Sequence, residues 1–340
     1  MKMLDVRTYT KSVFIISIFF LLATLVIVRP GFTAKEPEIT LKLVGAWGRG
    51  DAGTEMFEKF IKEINGENVG VLQIKVIGTT EVTPPFEQLE SLKRGVYDLN
   101  YNSPAFYTKL VPGAVTGFYV QCPPEVFRKT GFLKIYDEMH RKQADVTFLG
   151  FLGRGEQFAF YLRKPIDKAD FSGLKIRSVP FFDPMIKALG AQPTVIAYPE
   201  AYSALQRGIV DGALSPIGTI ILDARWYEVL KYIIYPQLPW ESIWGLLANS
   251  KKWDALPDRI KKIIMDKVLA IEPMAYKHHK EMSAKWVQQL LDKGMVIHEL
   301  PPAEAKKMMT MGRTVTWEFV NKLDPVYAPQ LKEKIKAYVE

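Results

Sequence analysis

The chain is poor in the residues that most often carry metal or redox chemistry. It has a single cysteine, Cys122, among 340 residues, so no internal disulfide can form. An exported protein of this length does not need one. Cys122 is expected to be a small buried side chain, with a reactive thiol as the alternative. Only 4 histidines occur. His278 and His279 are adjacent on a helical stretch, so they face different directions and lack the i, i+4 spacing of a metal pair. They are expected to be solvated. His140 and His298 stand alone, and no G-x-S-x-G nucleophile elbow is present. Repeats, low-complexity segments and long basic runs are also missing. The formal charge is +8, and Lys2, Arg7, Lys11 and Arg29 against Asp5 supply three of those charges. The remainder is spread along the chain, which argues against a nucleic-acid footprint and for small anionic ligands.

What is present begins with a leader. Lys2, Arg7 and Lys11 precede an uncharged apolar run from Ser12 to Val28, and small residues follow near Gly31 and Ala34. Residues 1–34 read as a secretory signal peptide, with the mature chain starting near Lys35. An uncleaved membrane anchor is the rival, because the run nears spanning length and no clean Ala-x-Ala follows. No cysteine follows the apolar core, so a lipid-modified amino terminus is excluded. Hydrophobic content of 48% and charged content of 24% are ordinary for a globular protein. A chain of this length can bury a large core and more often forms two domains than one.

Ile39 to Ala46 alternates towards a strand, and Thr54 to Ile64 has helical amphipathicity. Between them, Gly48 to Gly53 satisfies G-x-G-x-x-G. A dinucleotide site also wants an acidic residue ending the next strand. That strand, Leu72 to Ile77, runs into Gly78-Thr79-Thr80 without one, so no dinucleotide or other cofactor is expected. The glycines could still turn backbone N–H groups towards a ligand anion, with Trp47 and Arg49 as lining residues. Phe86 to Lys93 reads as a helix and Val96 to Asn100 as a strand, followed by Tyr101, Asn102 and Ser103 at its carboxyl end. A helix is expected over Phe127 to Lys142.

The stretch from Asp170 to Pro216 organises the rest. Gly173 to Val179 reads as a short strand stopped by Pro180. Phe182 to Leu189 reads as a helix ended by Gly190, Thr194 to Ala197 as a strand, and Pro199 to Arg207 as a helix ended by Gly208. Val210 to Ala213 leads into a third strand. This β-α-β-α-β order predicts a parallel sheet, and ligands of such sheets sit at the carboxyl ends of the strands. Arg177 and Tyr198 fall at those ends, with Ser215 as a third candidate. Leu256-Pro257-Asp258 starts a long helix whose Ile260, Ile263, Ile264, Val268 and Ile271 keep helical spacing. Pro273 should kink it and Gly294 end it. Further helices are expected near Ala303 to Leu323 and Pro329 to Val339.

The run GLKIR at 173–177, the helix ending LGAQP at 189–193 and AYPEAYSALQRGIVDGALSP at 197–216 resemble the solute-binding subunits of TRAP (tripartite ATP-independent periplasmic) transporters, the DctP-like family. The likeness extends to FEQLESLKRGVYDLNY at 86–101 and LLANSKKWDALPDRIKKII at 246–264. It implies an α/β, two-lobed periplasmic binding protein fold with a ligand cleft between the lobes and a long kinked helix spanning both. Lobe I would be 35–153 with 240–280 returning to it, and lobe II 154–239 with 281–340 packing on it. It also implies a periplasmic protein, not an enzyme, that delivers an organic acid to membrane permease subunits under an ion gradient.

Arg177 carries the main expectation, since a guanidinium fork grips a carboxylate through two parallel hydrogen bonds. The resemblance assigns it that role; a structural pair with Asp183 or Glu200 is the alternative. Tyr198 matches a family position for a ring over the ligand, and Tyr101, Asn102 and Ser103 a contact loop. Two departures stand out. Ser215 replaces a common asparagine, and Gln157 replaces a common second arginine, with Arg154 nearby as a substitute. Gln157 suits a hydroxyl, keto or amide group better than a second carboxylate. With Trp47, Tyr101, Tyr198, Trp240 and Trp244 as aromatic candidates, a monocarboxylate is favoured over a dicarboxylate. Two other readings stay open: a secreted α/β enzyme acting on a small acid through Glu241 or Asp211, and a binding protein serving a membrane sensor.

Overall fold

The computed structural model describes residues 38–48, 51 and 54–339. The leader, Arg49 and most of the glycine motif lie outside the described residues. Residues from Pro37 onward form one compact unit, built on a nine-stranded sheet. Among the described residues no helix is long and apolar enough to cross a membrane.

The first part alternates strands and helices: β1 (Ile39–Gly45), α1 (Glu55–Glu67), β2 (Leu72–Gly78), α2 (Gln88–Lys93), β3 (Leu99–Asn102) and α3 (Pro104–Tyr107). β1 pairs in parallel with both β2 and β3. Two helices follow where one was expected, α4 (Pro124–Lys129) and α5 (Phe132–Ala144). The chain breaks at Gly131, whose φ of 79° is left-handed, a conformation that glycine alone adopts at little cost. The long strand β4 (Val146–Leu162) comes next.

The second part repeats the pattern with β5 (Lys175–Ser178), α6 (Asp183–Ala188), β6 (Gln192–Val195), α7 (Tyr198–Gln206), β7 (Gly212–Pro216) and α8 (Thr219–Asp223). β5 lies between β6 and β7 and is parallel to both, as the order of elements requires. The long strand β8 (Tyr232–Asn249) then runs back antiparallel to β4 along its whole length. Their ladder slips register repeatedly between Phe148 and Phe160, so the pair bends in its middle. β3 joins one end of β8, and β7 joins the matching half of β4. The crossover strands therefore fuse the two parallel sheets into one.

α9 (Ser250–Asp254) leads into α10 (Asp258–Asp292), a helix of 35 residues with Pro273 inside it. Ile260, Ile264, Val268, Ile271, Ala275, His279, Trp286 and Leu290 are buried along one stripe. Its first half packs with Leu41, Phe60, Ile74 and Leu246 in one core, and Leu290 belongs to a second core with Leu205, Trp226 and Ile233. One helix thus touches the cores of both halves. The opposite side is covered by a third core that includes Tyr136, Phe158, Trp240 and Trp317. β9 (Val296–Glu299), absent from the sequence reading, adds a short parallel strand beside β8, and α11 (Pro302–Leu323) and α12 (Ala328–Ile335) complete the chain. Its VIHE sequence is too short and too polar to announce a strand.

Cys122 is buried, and burial pushes its thiol up to about 11, which makes it inert. The histidines correct one expectation. His279 is not solvated: it is fully buried against Trp244, with Nδ1 3.3 Å from Glu156 Oε1. His140 is also fully buried. Its Nδ1 faces the Tyr136 carbonyl at 2.7 Å, an oxygen that only accepts, so this nitrogen carries the proton and Nε2 accepts from the Tyr107 hydroxyl at 3.2 Å.

Two predictions follow from packing and burial. At Gly218, φ is 98° and an added Cβ would lie 2.3 Å from Trp286 Cβ. Gly218→Ala should cost about 2–4 kcal/mol, read as a lower urea midpoint with an unchanged slope. Burial lowers His140 from 6.5 to about 4. An unfolded ring binds a proton in that window and the folded ring does not, so stability is full above pH 6.5 and falls as pH drops. The loss should be about 2 kcal/mol between pH 7 and pH 5, and His140→Gln should flatten the dependence by that amount in urea titrations at both pH values.

Candidate functional site

The carboxyl ends of the parallel strands of both halves converge on one small hollow of about 40 Å³. Trp47 comes from beyond β1, Ser103 from beyond β3, Val179 and Phe181 from beyond β5, Tyr198 from beyond β6, and Pro216 from the end of β7. Arg177, on β5, reaches into it as well. The crossover strands supply the floor, Phe158 from β4 and Ser242, Ile243 and Trp244 from β8. This is where a parallel α/β sheet presents its loops, so the topology dictates the location. A larger hollow of about 740 Å³ runs along α1, lined by that helix together with residues of β1, β2 and the turns after them, and Arg177 is not part of it.

Arg177 is only 4% exposed. Its Nε donates to the Ile196 carbonyl at 3.0 Å, and its guanidinium carbon stands 5.4 Å from the centre of the Trp226 ring. Neither suggested structural partner holds it: Asp183 accepts from the Ser178 hydroxyl at 2.6 Å. Among the described residues Arg177 forms no ion pair, and Tyr198 is the group that shapes its electrostatics beyond burial. Burial pushes its pKa down to about 10, so it remains a cation at neutral pH. Holding such a charge in a half-dry site without a counter-ion is costly. An anion that enters the hollow would offset that cost.

Arg154 has the opposite fate. It donates to the carbonyls of Cys122, Gly117 and Val120, faces the Phe127 ring, and lies 3.2 Å from Glu241 Oε2. Glu241 is in turn 2.6 Å from Lys280 Nζ and accepts weakly from the Tyr276 hydroxyl. This buried cluster ties β4 and β8 to α10, and it occupies the groups that an acid site or a base would need free. Asp211 is likewise committed, accepting the Lys175 N–H at 2.8 Å.

Of the residues singled out in the sequence, the structure brings Arg177, Tyr198, Trp47, Ser103 and Trp244 together around the hollow. The others lie behind it. Tyr101 stacks on Phe57 at 4.1 Å and props the Trp47 ring from the edge. Asn102 donates to Asn100 Oδ1 and accepts the Ser103 N–H, so its amide braces the end of β3. Ser215 is buried within β7 opposite Ala159. Trp240 stacks in the third core against Phe182 and donates to the Gly312 carbonyl. Gln157 sits half-buried on β4 opposite Glu241, away from the lining. In the glycine motif, the Gly48 N–H is taken by the Asp51 carboxylate at 2.7 Å, so that donor is not offered to a ligand. Phe106, Phe118, Phe158, Phe181 and Phe182 also line the hollow and went unrecognised, because an aromatic residue in a cleft and one in a core carry the same pattern; Ser242, also lining, carries no local signal at all.

The model of the DctP family, bacterial extracellular solute-binding proteins of family 7, matches residues 44–323. The C4-dicarboxylate-binding periplasmic protein DctP of Rhodobacter capsulatus is 26% identical over 302 residues, which is 84% of this chain and 83% of that one. Among solved structures, DctP7 of Bordetella pertussis, an extracytoplasmic solute receptor, superposes with a TM-score of 0.75 at 18% identity, over 89% of this chain and 100% of the other. A TRAP periplasmic solute-binding protein of Desulfovibrio salexigens gives 0.76 at 20% identity, over 88% and 97%. Because that family model spans most of the chain, the chain belongs to the DctP family, the bacterial extracellular solute-binding proteins of family 7.

Proposed function

We propose that this protein is the extracytoplasmic receptor of a TRAP-type secondary transporter and that it captures an organic acid, a monocarboxylate, through Arg177. The single observation that carries the reading is the guanidinium buried at the strand ends without an ion pair among the described residues. A carboxylate arriving there completes a charge-assisted fork, in a site dry enough for the pair to be strong. Tyr198, beside the guanidinium, covers the pair. Among the relatives, the Bordetella pertussis protein binds pyroglutamic acid and the Desulfovibrio salexigens structure holds orotic acid, both monocarboxylates, whereas the Rhodobacter capsulatus protein binds C4-dicarboxylates.

The proposed lobes are 35–153 with 240–280, and 154–239 with 281–340. Two of their boundaries fall within β4 and β8, where the ladder loses register, and the third falls within α10. A hollow of about 40 Å³ has room for about one water molecule. Admitting an acid therefore requires the two flanks to part and close again, bending at those irregular strand centres. The closed form would be what the permease subunits recognise. Residues 1–34 would direct export to the periplasm.

Titration calorimetry against a panel of organic acids tests the receptor reading. Arg177→Ala should weaken the bound acid by about 2–5 kcal/mol, a loss of at least thirtyfold, while Arg177→Lys keeps the charge, loses the fork and falls between. Unaltered affinity in a folded Arg177→Ala variant would overturn the assignment. Deleting the gene should abolish uptake of the same acid. Persistent uptake with intact binding would mark a receptor that serves a sensor instead.

A further inference from the structure

We infer that the hollow beside Arg177 selects a flat aromatic monocarboxylate and that the Ser242 hydroxyl reads one polar position on its ring. The inference rests on Arg177 as the carboxylate anchor and adds what the rest of the ligand must be.

Three observations carry it. First, Arg177 is the only charged side chain that lines the hollow among the described residues. Arg154, the nearest substitute for a second clamp, is spent on three carbonyls and Glu241. A second carboxylate on the ligand would enter a buried site with no counter-ion, which is strongly unfavourable. Second, the walls are rings in two groups. Trp47 contacts Phe106 and Trp244, with centroids 5.7 and 5.9 Å apart. Phe181 contacts Phe118 and Phe182 at 4.4 and 4.1 Å, and Phe158 meets Phe182 at 5.1 Å. The hollow is bounded by both groups at once. A planar ring slides between such walls and gains stacking and edge contacts that a puckered or hydroxylated chain does not. A sugar acid would instead leave its hydroxyls without partners there.

Third, one buried polar atom of the lining is left over. Ser242 is 2% exposed, lines the hollow, and its Oγ has no hydrogen-bond partner among the described residues. Ser103, the other lining serine, already caps α3 by accepting the Ala105 N–H. A buried hydroxyl without a partner is unusual. A ring nitrogen, hydroxyl or keto oxygen on the ligand would satisfy it. An aromatic ring needs a cavity of about 150 Å³, so the two ring groups separate to admit it and close on both of its faces.

The experiment compares benzoate, cyclohexanecarboxylate and succinate, then the hydroxybenzoate and pyridinecarboxylate isomers, by calorimetry on the purified protein and on Arg177→Ala and Ser242→Ala. Benzoate should bind at least about tenfold tighter than cyclohexanecarboxylate or succinate, and Arg177→Ala should remove this binding. One substituted or aza isomer should exceed benzoate, and Ser242→Ala should remove that advantage, a loss of about tenfold relative to benzoate. Cyclohexanecarboxylate or succinate binding as tightly as benzoate, with Arg177→Ala still abolishing it, would overturn the ring selection and leave the receptor reading standing. Equal weakening of benzoate and its derivatives in Ser242→Ala would remove Ser242 from the assignment. No binding of any acid by the folded protein would sink the underlying receptor reading itself.

Discussion

β4 and β8 are hydrogen-bonded to one another from Val146 opposite Asn249 to Leu162 opposite Tyr232, and almost everything else hangs on that pair. Each parallel sheet needs a neighbour on its inner edge, and the crossover strands supply it, β8 for β3 and β4 for β7. Because the two strands are antiparallel, both halves present their carboxyl ends towards the same central place. The hollow lies there because the topology leaves it no other position. The register slips along the ladder do two jobs. They bend the pair and increase its local twist, and they interrupt the regular pairing at the level of the hollow.

The contrast between Arg154 and Arg177 separates a cation neutralised within the chain from one that has no ion pair among the described residues. Both are buried. Arg154 has three carbonyls, an aromatic face and a carboxylate around it. Taking it from water is offset within the chain, and the cluster with Glu241 and Lys280 fixes α10 on the crossover strands. Arg177 has one carbonyl and one ring. The fold is stable enough to hold it in this state, and it stores a free-energy deficit that a carboxylate can relieve. Such a deficit is how a rigid scaffold turns stability into affinity.

Much of this was legible in the chain. Gly190 and Gly208, with φ of 85° and 69°, end their helices where the sequence placed them, and the parallel β5-β6-β7 order followed. The apolar stripe of α10 was equally plain. The split between α4 and α5 was not, because Gly131 can lie within a helix or break one and only its φ decides. The roles of the two arginines were also hidden. Arg154 is neutralised by carbonyls of residues 117 to 122 and by Glu241, some ninety residues further on, and no local pattern records that meeting. The same holds for His279, whose burial depends on Trp244 and Trp286 closing around it.

The aromatic walls have a consequence for how the site discriminates. Apolar walls alone distinguish ligands weakly, by only tens to a few hundredfold for a missing group. An unpaired polar atom changes that, since a ligand that fails to meet it leaves a buried group unsatisfied. As proposed, the site around Arg177 would combine both devices: ring faces that reward flatness, one cation that demands a single anionic group, and one hydroxyl that marks a position. Water must leave for any of the three to act at full strength, because each weakens in a high-dielectric medium. In the proposed receptor, closure of the two flanks on the ligand is part of recognition itself, and a receptor that closes only on a well-matched acid would present a closed surface to a membrane partner only when it carries cargo.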